Sequence, residues 1–289
     1  MTTQQIERVG VVGCGLMGSG IAEVAARAGM DVVVRETDPG TAEAGRSRIE
    51  ASLRRAVGSG KLDPDDEAAA LKRLTFTTDF ADLADRQLVV EAVIEDEALK
   101  TSVFTALDEA VKDEAAVLAS NTSSIPIMKL AMATKRPQAV VGLHFFNPVP
   151  VLKLVEIVPS LLTAQETIDT VEHLAVDVLG KQVIRSQDRA GFVVNALLIP
   201  YLLSAIRMLE SGFATPDDID AGMVLGCAHP MGPLALADLI GLDTTMAVAQ
   251  SLYEEFKEPL YAPPPLLSRM VDAGLLGRKR GRGFYDYAK

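Results

Sequence analysis

The sequence predicts an α/β protein with a Rossmann-like N-terminal domain, an inserted helical hairpin and an all-α C-terminal domain. Three observations lead to this prediction. A short apolar run, residues 8–12, enters a glycine-rich turn that is followed by a helical segment and a second apolar run. Further apolar runs alternate with helical segments up to residue 186. No strand pattern remains after Gly191, so we expect domains at residues 1–188 and 189–289.

Length and composition limit the class of protein. The 289 residues are 48% hydrophobic and 23% charged, which is typical of globular domains with sizeable cores. The net charge is −11, from 28 basic and 39 acidic residues. This charge argues against nonspecific binding to nucleic acid or to anionic membranes, and we expect neither partner.

Cysteine usage and the N-terminal sequence indicate a cytoplasmic protein. Cys14 and Cys227 are two isolated cysteines, so no disulfide framework is predicted. Cys227 and His229 are too few ligands for a metal site, and we predict none. The N-terminus lacks the pattern of a secretion signal, and no apolar run reaches the ~18 residues of a membrane-spanning helix.

The glycine-rich turn has the G-x-G-x-x-G pattern, formed by Gly13, Gly15 and Gly18. The first glycine permits a tight turn, the second lets the backbone approach a pyrophosphate, and the third lets the helix pack on the strand. The phosphate then lies at the helix N-terminus. A glycine-rich turn in another kind of α/β protein is the alternative, but the complete order of elements favours dinucleotide binding.

The second apolar run ends at Glu36, eighteen residues after Gly18. A carboxylate at this position binds both hydroxyls of an adenine ribose and repels a 2′-phosphate. We therefore predict NAD as the cofactor, although the neighbouring Arg35 leaves NADP open.

Residues 41–61 form a helical, locally basic segment in an acidic chain. Five basic residues stand against one acidic residue between Gly45 and Lys61. Such a face is suited to bind phosphates, and a solvated helix surface is an equally weighted alternative. Asp63 and Pro64 then begin a second helix, which completes the helical hairpin.

Polar residues follow the predicted strand at 115–119, in the run from Ser120 to Ser124. Hydroxyls and an amide at the C-terminal end of a parallel strand lie where ligands bind in open α/β sheets. Helix capping by Ser123 or Ser124 is an alternative that does not exclude a functional role.

His144 ends a further apolar run, residues 139–143, and Glu156 lies twelve residues later in the next run. Two strands joined by the turn at 147–150 would bring the carboxylate to the imidazole. A carboxylate fixes the tautomer of a histidine and stabilises its imidazolium, so this pair is a candidate general base. On this stretch alone, a core histidine beside a strand acid is the favoured alternative.

The C-terminal domain is predicted to be helical. Residues 192–209 are apolar all round, which predicts a buried helix with a kink or a new turn at Pro200. The excess of apolar surface predicts a homodimer formed through this domain.

Together these motifs resemble those of the 3-hydroxyacyl-CoA dehydrogenases, most nearly the bacterial 3-hydroxybutyryl-CoA dehydrogenases, over residues 7–285. The matching segments are GCGLMGSGIAEVAARAG, ASNTSS, GLHFFNPVPVLKLVEIV, GFVVNALLIPYL, HPMGPLALADLIGLD and GRGFY. HFFNPVP together with SNTSS is specific, whereas the glycine loop alone is not. The resemblance implies an NAD-dependent enzyme that interconverts a short-chain 3-hydroxyacyl-CoA and its 3-ketoacyl-CoA, in fatty acid or butanoate metabolism.

The resemblance also implies a role for each matching residue. His144 would be the general base, oriented by Glu156. Ser123 would hydrogen-bond the substrate oxygen, and Asn195 would bind near the thioester. The positions implied to surround the cofactor are Gly13, Gly15, Leu16, Met17, Gly18, Glu36, Glu95, Lys100, Asn121, Ser123, Asn147 and Lys279.

Coenzyme A contacts are implied for Ser52, Arg55 and Lys61. The chain departs from the family pattern at two positions that bear on them. Ala196 and Ser59 stand where many relatives carry arginine and some carry lysine, respectively.

Rival functions lack a matching residue pattern. Tyr253 and Lys257 have the spacing of the short-chain dehydrogenase pair, but they lie far from the glycine loop. The 6-phosphogluconate-like enzymes use a lysine that residues 191–199 do not contain. A dehydrogenase of a free hydroxy acid or sugar acid would not need the basic segment. A non-catalytic NAD-binding protein would not need His144 with Glu156.

Overall fold

The computed structural model describes residues 5–287 and confirms the predicted fold class. The chain forms two compact units, which we call the N-terminal unit, ending at Arg189, and the C-terminal unit, beginning at Ala190. Strands occur in the first unit, and the second is built from helices.

The N-terminal unit contains one eight-stranded sheet with the strand order β3-β2-β1-β4-β5-β6-β7-β8. Its strands are β1 (Arg8–Val12), β2 (Asp31–Arg35), β3 (Leu74–Thr77), β4 (Leu88–Glu91), β5 (Val117–Ser120), β6 (Val140–Phe145), β7 (Leu154–Pro159) and β8 (Gln182–Arg185). Strands β1 to β6 are parallel, whereas β7 pairs antiparallel with β6 and parallel with β8. The central strands are buried on both faces, which explains their continuous runs of β-branched and other apolar residues.

Helices cover this sheet. They are α1 (Leu16–Arg27), α2 (Pro39–Gly58), α3 (Pro64–Lys72), α4 (Glu97–Ala110), α5 (Ile127–Ala131) and α6 (Gln165–His173). The hairpin of α2 and α3 begins each helix with an aspartate cap, Asp38 and Asp63, followed by proline. The predicted single helix at 163–179 is instead α6 followed by a π-helical turn, Leu174–Val178.

The C-terminal unit has its own apolar core, which includes Leu202, Leu203, Ile206, Leu234 and Leu252. Its helices are α7 (Val194–Glu210), α8 (Pro216–Cys227), α9 (Pro233–Ile240), α10 (Leu242–Phe256) and α11 (Pro265–Asp272). The buried carboxylate of Asp238 accepts the backbone N–H groups of Phe284 and Tyr285 at 3.0 Å each. These bonds tie the C-terminal tail to α9.

One expectation for α7 is wrong, and one of the two alternatives at Pro200 does not occur. The helix continues through Pro200, so the chain does not begin a new turn there. The helix is also not buried all round, since the side chain of Leu197 is 73% exposed in the single chain. One apolar face of α7 therefore remains uncovered.

Two classes of feature are absent from residues 5–287. None of the helices described there has both the length and the apolar character needed to cross a bilayer. Within the same residues, no three histidine, cysteine or acidic side chains are grouped in a way that could hold a metal ion.

The buried ion pair of Arg136 provides a test of the N-terminal unit. Its guanidinium bonds Asp108 at 2.9 Å and also the carbonyl groups of Asp108, Val111 and Asp113. Arg136→Ala leaves a buried carboxylate and three carbonyls without their donor, so we expect a loss of about 3–5 kcal/mol in the free energy of unfolding.

Urea unfolding checks this value. The matched control is Arg54→Ala, which removes an exposed pair with Glu50 on α2 and should cost less than about 0.5 kcal/mol. Equal losses in the two variants would contradict the structural role of Arg136.

Candidate active site

The candidate site lies at one edge of the sheet. Because β1, β4, β5 and β6 are parallel neighbours, their C-terminal ends share this edge. Adjacent strands lie ~4.8 Å apart, so the glycine loop after β1 and His144 on β6 are separated by about 14 Å. An extended dinucleotide can span this distance along the edge.

The glycine loop is shaped for a phosphate. Gly13 has a φ of +89°, which only glycine adopts without strain, and a Cβ on Gly18 would overlap the carbonyl oxygen of Gly13. A Cβ on Gly15 would meet no atom within 4 Å, so the loop is open at this point. Helix α1 begins directly afterwards, at Leu16 and Met17, and has no side-chain cap. Its first N–H groups are therefore suited to bind a pyrophosphate, and the loop fits NAD.

Both polar groups of the Cys14 peptide are held by charged side chains. The Oε1 atom of Glu36 accepts the Cys14 N–H at 2.5 Å, and Arg48 on α2 donates to the Cys14 carbonyl at 2.7 Å. Glu36 thus lies beside the loop, where a ribose would be placed. The contact of Arg48 was not predicted, because the basic segment offered no signal that separates it from its neighbours.

A buried charge network follows β4. Glu91 is fully buried and pairs with the Nζ atom of Lys100 at 2.6 Å, while its second oxygen accepts the Ser120 hydroxyl at 2.7 Å. Lys100 also lies 3.3 Å from Glu95. Lys100 is 1% exposed, so these two carboxylates balance a charge that is shielded from water. Glu91 was not predicted, because its only signal in the sequence is an acid at the end of an apolar strand.

Glu95 organises the hydroxyl-rich loop after β5. Its Oε1 atom accepts the backbone N–H groups of Ser123 and Ser124 and the hydroxyl groups of Thr122, Ser123 and Ser124. Burial raises the pKa of Glu95, but Lys100 and these hydrogen bonds outweigh that effect, so the pKa lies below its ordinary value. Glu95 is therefore ionised at neutral pH and fixes the backbone of Ser123.

His144 and Glu156 are direct neighbours across β6 and β7. Register places them opposite each other, and the Nδ1 atom of His144 lies 2.7 Å from the Oε2 atom of Glu156. His144 is 6% exposed and Glu156 is fully buried. The imidazole is thus held in one orientation, with Nδ1 toward the acid.

The loop between these two strands is fixed on both sides. Asn121 accepts the N–H of Phe145 at 2.9 Å, which joins the hydroxyl-rich loop to the end of β6. The buried ammonium of Lys181 donates to the carbonyl groups of Val149 at 2.5 Å and Leu152 at 2.8 Å. Asn147, in the same loop, is exposed. Lys181 was not among the predicted residues.

The residues proposed for coenzyme A do not form one cluster. Ser52 and Arg55 lie one turn apart on α2, on the same face as Arg48. Lys61 follows the end of that helix and lines a cavity that neither of them lines. In the C-terminal unit, Asn195 is the second residue of α7, and Lys279 pairs with Asp243 at 2.6 Å.

Comparisons with known proteins identify relatives along almost the whole chain. The family model described as 3-hydroxyacyl-CoA dehydrogenase, NAD binding domain, matches residues 8–189, and the model of the C-terminal domain of the same family matches residues 191–287. A 3-hydroxybutyryl-CoA dehydrogenase of Mycobacterium tuberculosis is 63% identical over 282 residues, covering 98% of this chain and 99% of the relative. The human mitochondrial hydroxyacyl-coenzyme A dehydrogenase is 40% identical, covering 98% and 91%.

A solved structure has the same fold. It is the (S)-3-hydroxybutyryl-CoA dehydrogenase PaaH1 from Ralstonia eutropha, with a TM-score of 0.93 and 46% identity. The match covers 99% of this chain and 100% of the other.

The thiol of Cys14 tests the packing of the glycine loop. Burial and then the charge of Glu36 raise its pKa from 9.0 to about 12, although Arg48 opposes the shift. In a Cys227→Ser variant, we expect iodoacetamide at pH 8 to alkylate Cys14 at least ~10²-fold more slowly in the native protein than in urea, because little thiolate forms. Comparable rates in the two states would contradict the packing described for the loop.

Proposed function

The chain belongs to the 3-hydroxyacyl-CoA dehydrogenase family, and we propose that it interconverts (S)-3-hydroxybutyryl-CoA and acetoacetyl-CoA with NAD as its cofactor. The observation that carries this proposal is the contact of 2.7 Å between His144 and Glu156 at the ligand-binding edge of the sheet. The names of relatives at 63% and 46% identity support the choice of substrate.

His144 exchanges the proton in this proposal. Glu156 holds Nδ1, so we assign Nε2 to the hydroxyl of the substrate. In the oxidation, Nε2 takes the proton of the 3-hydroxyl group, and the Glu156 carboxylate stabilises the imidazolium that forms. A bound nicotinamide cofactor would supply the hydride chemistry, as NAD taking the hydride from the carbon that bears the 3-hydroxyl group and as NADH supplying it in the reduction. During reduction, the protonated His144 gives its proton to the carbonyl oxygen.

Ser123 and Asn195 are proposed to bind the substrate around the reacting carbon. On binding, the Ser123 hydroxyl turns its proton from the Glu95 carboxylate to the substrate oxygen, while the bond from the Ser123 N–H to Glu95 holds the backbone in place. Asn195 donates its amide to the thioester end. Ser123 stabilises the negative charge that builds on the substrate oxygen as its proton leaves, and Asn195 polarises the thioester carbonyl.

The cofactor is proposed to lie along the edge from the glycine loop to His144. Glu36 binds the adenine ribose, and Asn147 and Lys279 contact the cofactor nearer the reacting end. Lys100 acts through Glu95, because its own ammonium is buried. Coenzyme A is proposed to lie against the face of α2 that carries Ser52 and Arg55, with Lys61 as a further phosphate contact.

A homodimer formed through the C-terminal unit is also proposed. Three of its large apolar side chains, Leu197, Phe213 and Leu225, are 73%, 79% and 84% exposed in the single chain. A second copy of the chain would remove such a surface from water. The free thiols of Cys14 and Cys227 fit a reducing compartment, and we propose the cytoplasm.

Replacement of the proposed base tests the mechanism. We expect His144→Gln to lower kcat by roughly 10²- to 10⁴-fold, because no other group at the site is proposed to accept the proton, and to leave NADH affinity almost unchanged. Steady-state kinetics with acetoacetyl-CoA and fluorescence titration of NADH measure the two quantities.

His173→Gln is the matched control. His173 is also paired with a carboxylate, Asp177, at 2.6 Å, but it is exposed on α6, so kcat should not change. Turnover of His144→Gln close to that of the control would refute the assignment of the base.

Glu36 provides a second test, of cofactor choice. Its carboxylate would lie beside a 2′-phosphate, so we expect kcat/KM for NADH to exceed that for NADPH by at least about tenfold. Glu36→Gln keeps an acceptor for the Cys14 N–H but removes the charge, so the ratio should fall. In Glu43→Gln, an exposed change on α2, the ratio should stay constant. Similar wild-type values for the two cofactors would count against the role of Glu36.

A further inference from the structure

Arg48 on α2 lies beside Glu36 at the glycine loop. Its Nη1 atom donates to the carbonyl of Cys14 at 2.7 Å, while Glu36 accepts the N–H of the same residue at 2.5 Å. The N and O atoms of one residue are at most ~4 Å apart, so these two contacts keep Nη1 of Arg48 within about 9 Å of Oε1 of Glu36. A cation and an anion therefore lie next to each other where the adenine ribose is proposed to bind.

Most of the donors of Arg48 are available to a ligand. A guanidinium has five N–H donors in a planar fork and is always charged at neutral pH. Within residues 5–287, the side chain of Arg48 donates to the Cys14 carbonyl and forms no ion pair with a carboxylate, and the residue is exposed. Its remaining nitrogens are therefore suited to bind a phosphate, which guanidinium groups hold with two parallel hydrogen bonds.

Arg35, the residue before Glu36, is held away from this position. Successive side chains of an extended segment point to opposite faces, so Arg35 and Glu36 diverge. The guanidinium of Arg35 lies 4.0 Å from the ring centre of Phe80 and donates to the carbonyl of Thr78 at 3.3 Å. The arginine that the sequence offers as a contact for NADP is thus engaged elsewhere.

Arg46, two residues before Arg48 on α2, also has other partners. It lies 4.4 Å from the ring centre of Phe76 and pairs with Glu43 at 3.6 Å. Among these three arginines, Arg48 is the one that contacts the glycine loop and has no carboxylate partner in the described part of the chain.

We infer that Arg48 is a specificity-determining residue for the cofactor: its free nitrogens bind a phosphate on the 2′-hydroxyl of the adenine ribose, so it favours NADP where Glu36 favours NAD. The inference rests on the proposed function, which places this ribose at Glu36. In the wild-type protein the charge of Glu36 dominates, because its carboxylate would contact the ribose hydroxyls directly and repel the phosphate. Removal of that charge leaves the attraction of Arg48 uncompensated.

A second carboxylate near the end of β2, Asp38, is the same in every variant compared. It caps α2 and accepts the N–H groups of Gly40 and Thr41 at 2.8 and 2.9 Å. The hydrogen bonds from Thr41 are the main cause that lowers the pKa of Asp38, so it is ionised at neutral pH. Its repulsion of a 2′-phosphate therefore cancels when the variants are compared with one another.

Fluorescence titration of NADH and NADPH on the full chain, without acyl-CoA, measures both Kd values. We expect Glu36→Gln to bind NADPH at least about tenfold more tightly than the wild-type protein does. Adding Arg48→Gln should raise the Kd for NADPH at least about tenfold again, because charge-assisted hydrogen bonds to the phosphate are lost. The Kd for NADH, which has no 2′-phosphate, should rise less than about threefold.

Two further variants in the Glu36→Gln background serve as controls. Arg54 is exposed on the same helix and pairs with Glu50 at 2.8 Å, so Arg54→Gln should alter the ratio of the two Kd values less than about twofold. Arg48→Lys keeps the charge and a donor for the Cys14 carbonyl, so it should lose less NADPH affinity than Arg48→Gln.

The ratio of the two Kd values separates recognition of the 2′-phosphate from support of the loop. The inference is overturned if Arg48→Gln weakens NADH and NADPH by the same factor, because Arg48 would then only hold the loop. It is also overturned if neither Kd changes, if Glu36→Gln does not improve NADPH binding, or if Arg54→Gln has an equal effect.

Failure of the proposed function would be a different result. A wild-type chain that binds NADH but does not reduce acetoacetyl-CoA would refute the proposed reaction. The titrations contain no acyl-CoA and need no turnover, so they would still decide the role of Arg48.

Discussion

The antiparallel pairing of β6 with β7 is the constraint on which the candidate site depends. It sets His144 opposite Glu156, whose carboxylate has no exposure to solvent. A slip of one residue would turn the acid to the opposite face of the sheet and leave a buried charge without its partner. The parallel strands before β6 place this pair on the edge that also carries the glycine loop. The same strand register is therefore needed both for a stable sheet and for the contact between His144 and Glu156.

Three carboxylates each fix a different part of this edge of the sheet. Glu36 holds the peptide of the glycine loop, Glu95 holds the hydroxyl-rich loop, and Glu156 holds the imidazole. Each accepts hydrogen bonds from a different segment, so the loops are fixed by charge-assisted bonds. Behind them, Glu91 and Lys100 pair in the interior and connect two of these segments. In this acidic protein, carboxylates thus fix the loops and the imidazole at the edge of the sheet where an anionic dinucleotide would bind.

Short sequence patterns were sufficient to predict the fold class and several residues of the candidate site. The glycine spacing, the acid at the end of β2 and the apolar runs on either side of the turn at 147–150 each follow from a short stretch of sequence. The contacts of Arg48 and Lys181, and the contact of Glu91 with Ser120, were not predictable, because each joins residues at least 29 positions apart. Exposure of Leu197 was missed for a related reason, since hydrophobicity alone does not reveal whether a face is covered within the chain.

The two bonds from Lys181 also bear on the order in which the protein is made. The loop between His144 and Glu156 receives its anchor from Lys181, which lies 32 positions after Val149 and 29 after Leu152 and is therefore synthesised only after both strands. Until Lys181 has been added, the nascent chain contains His144 and Glu156 but lacks the two hydrogen bonds that fix the loop between them. The loop is thus fixed only once the chain has reached the start of β8, so a sheet made without its last strand lacks this anchor.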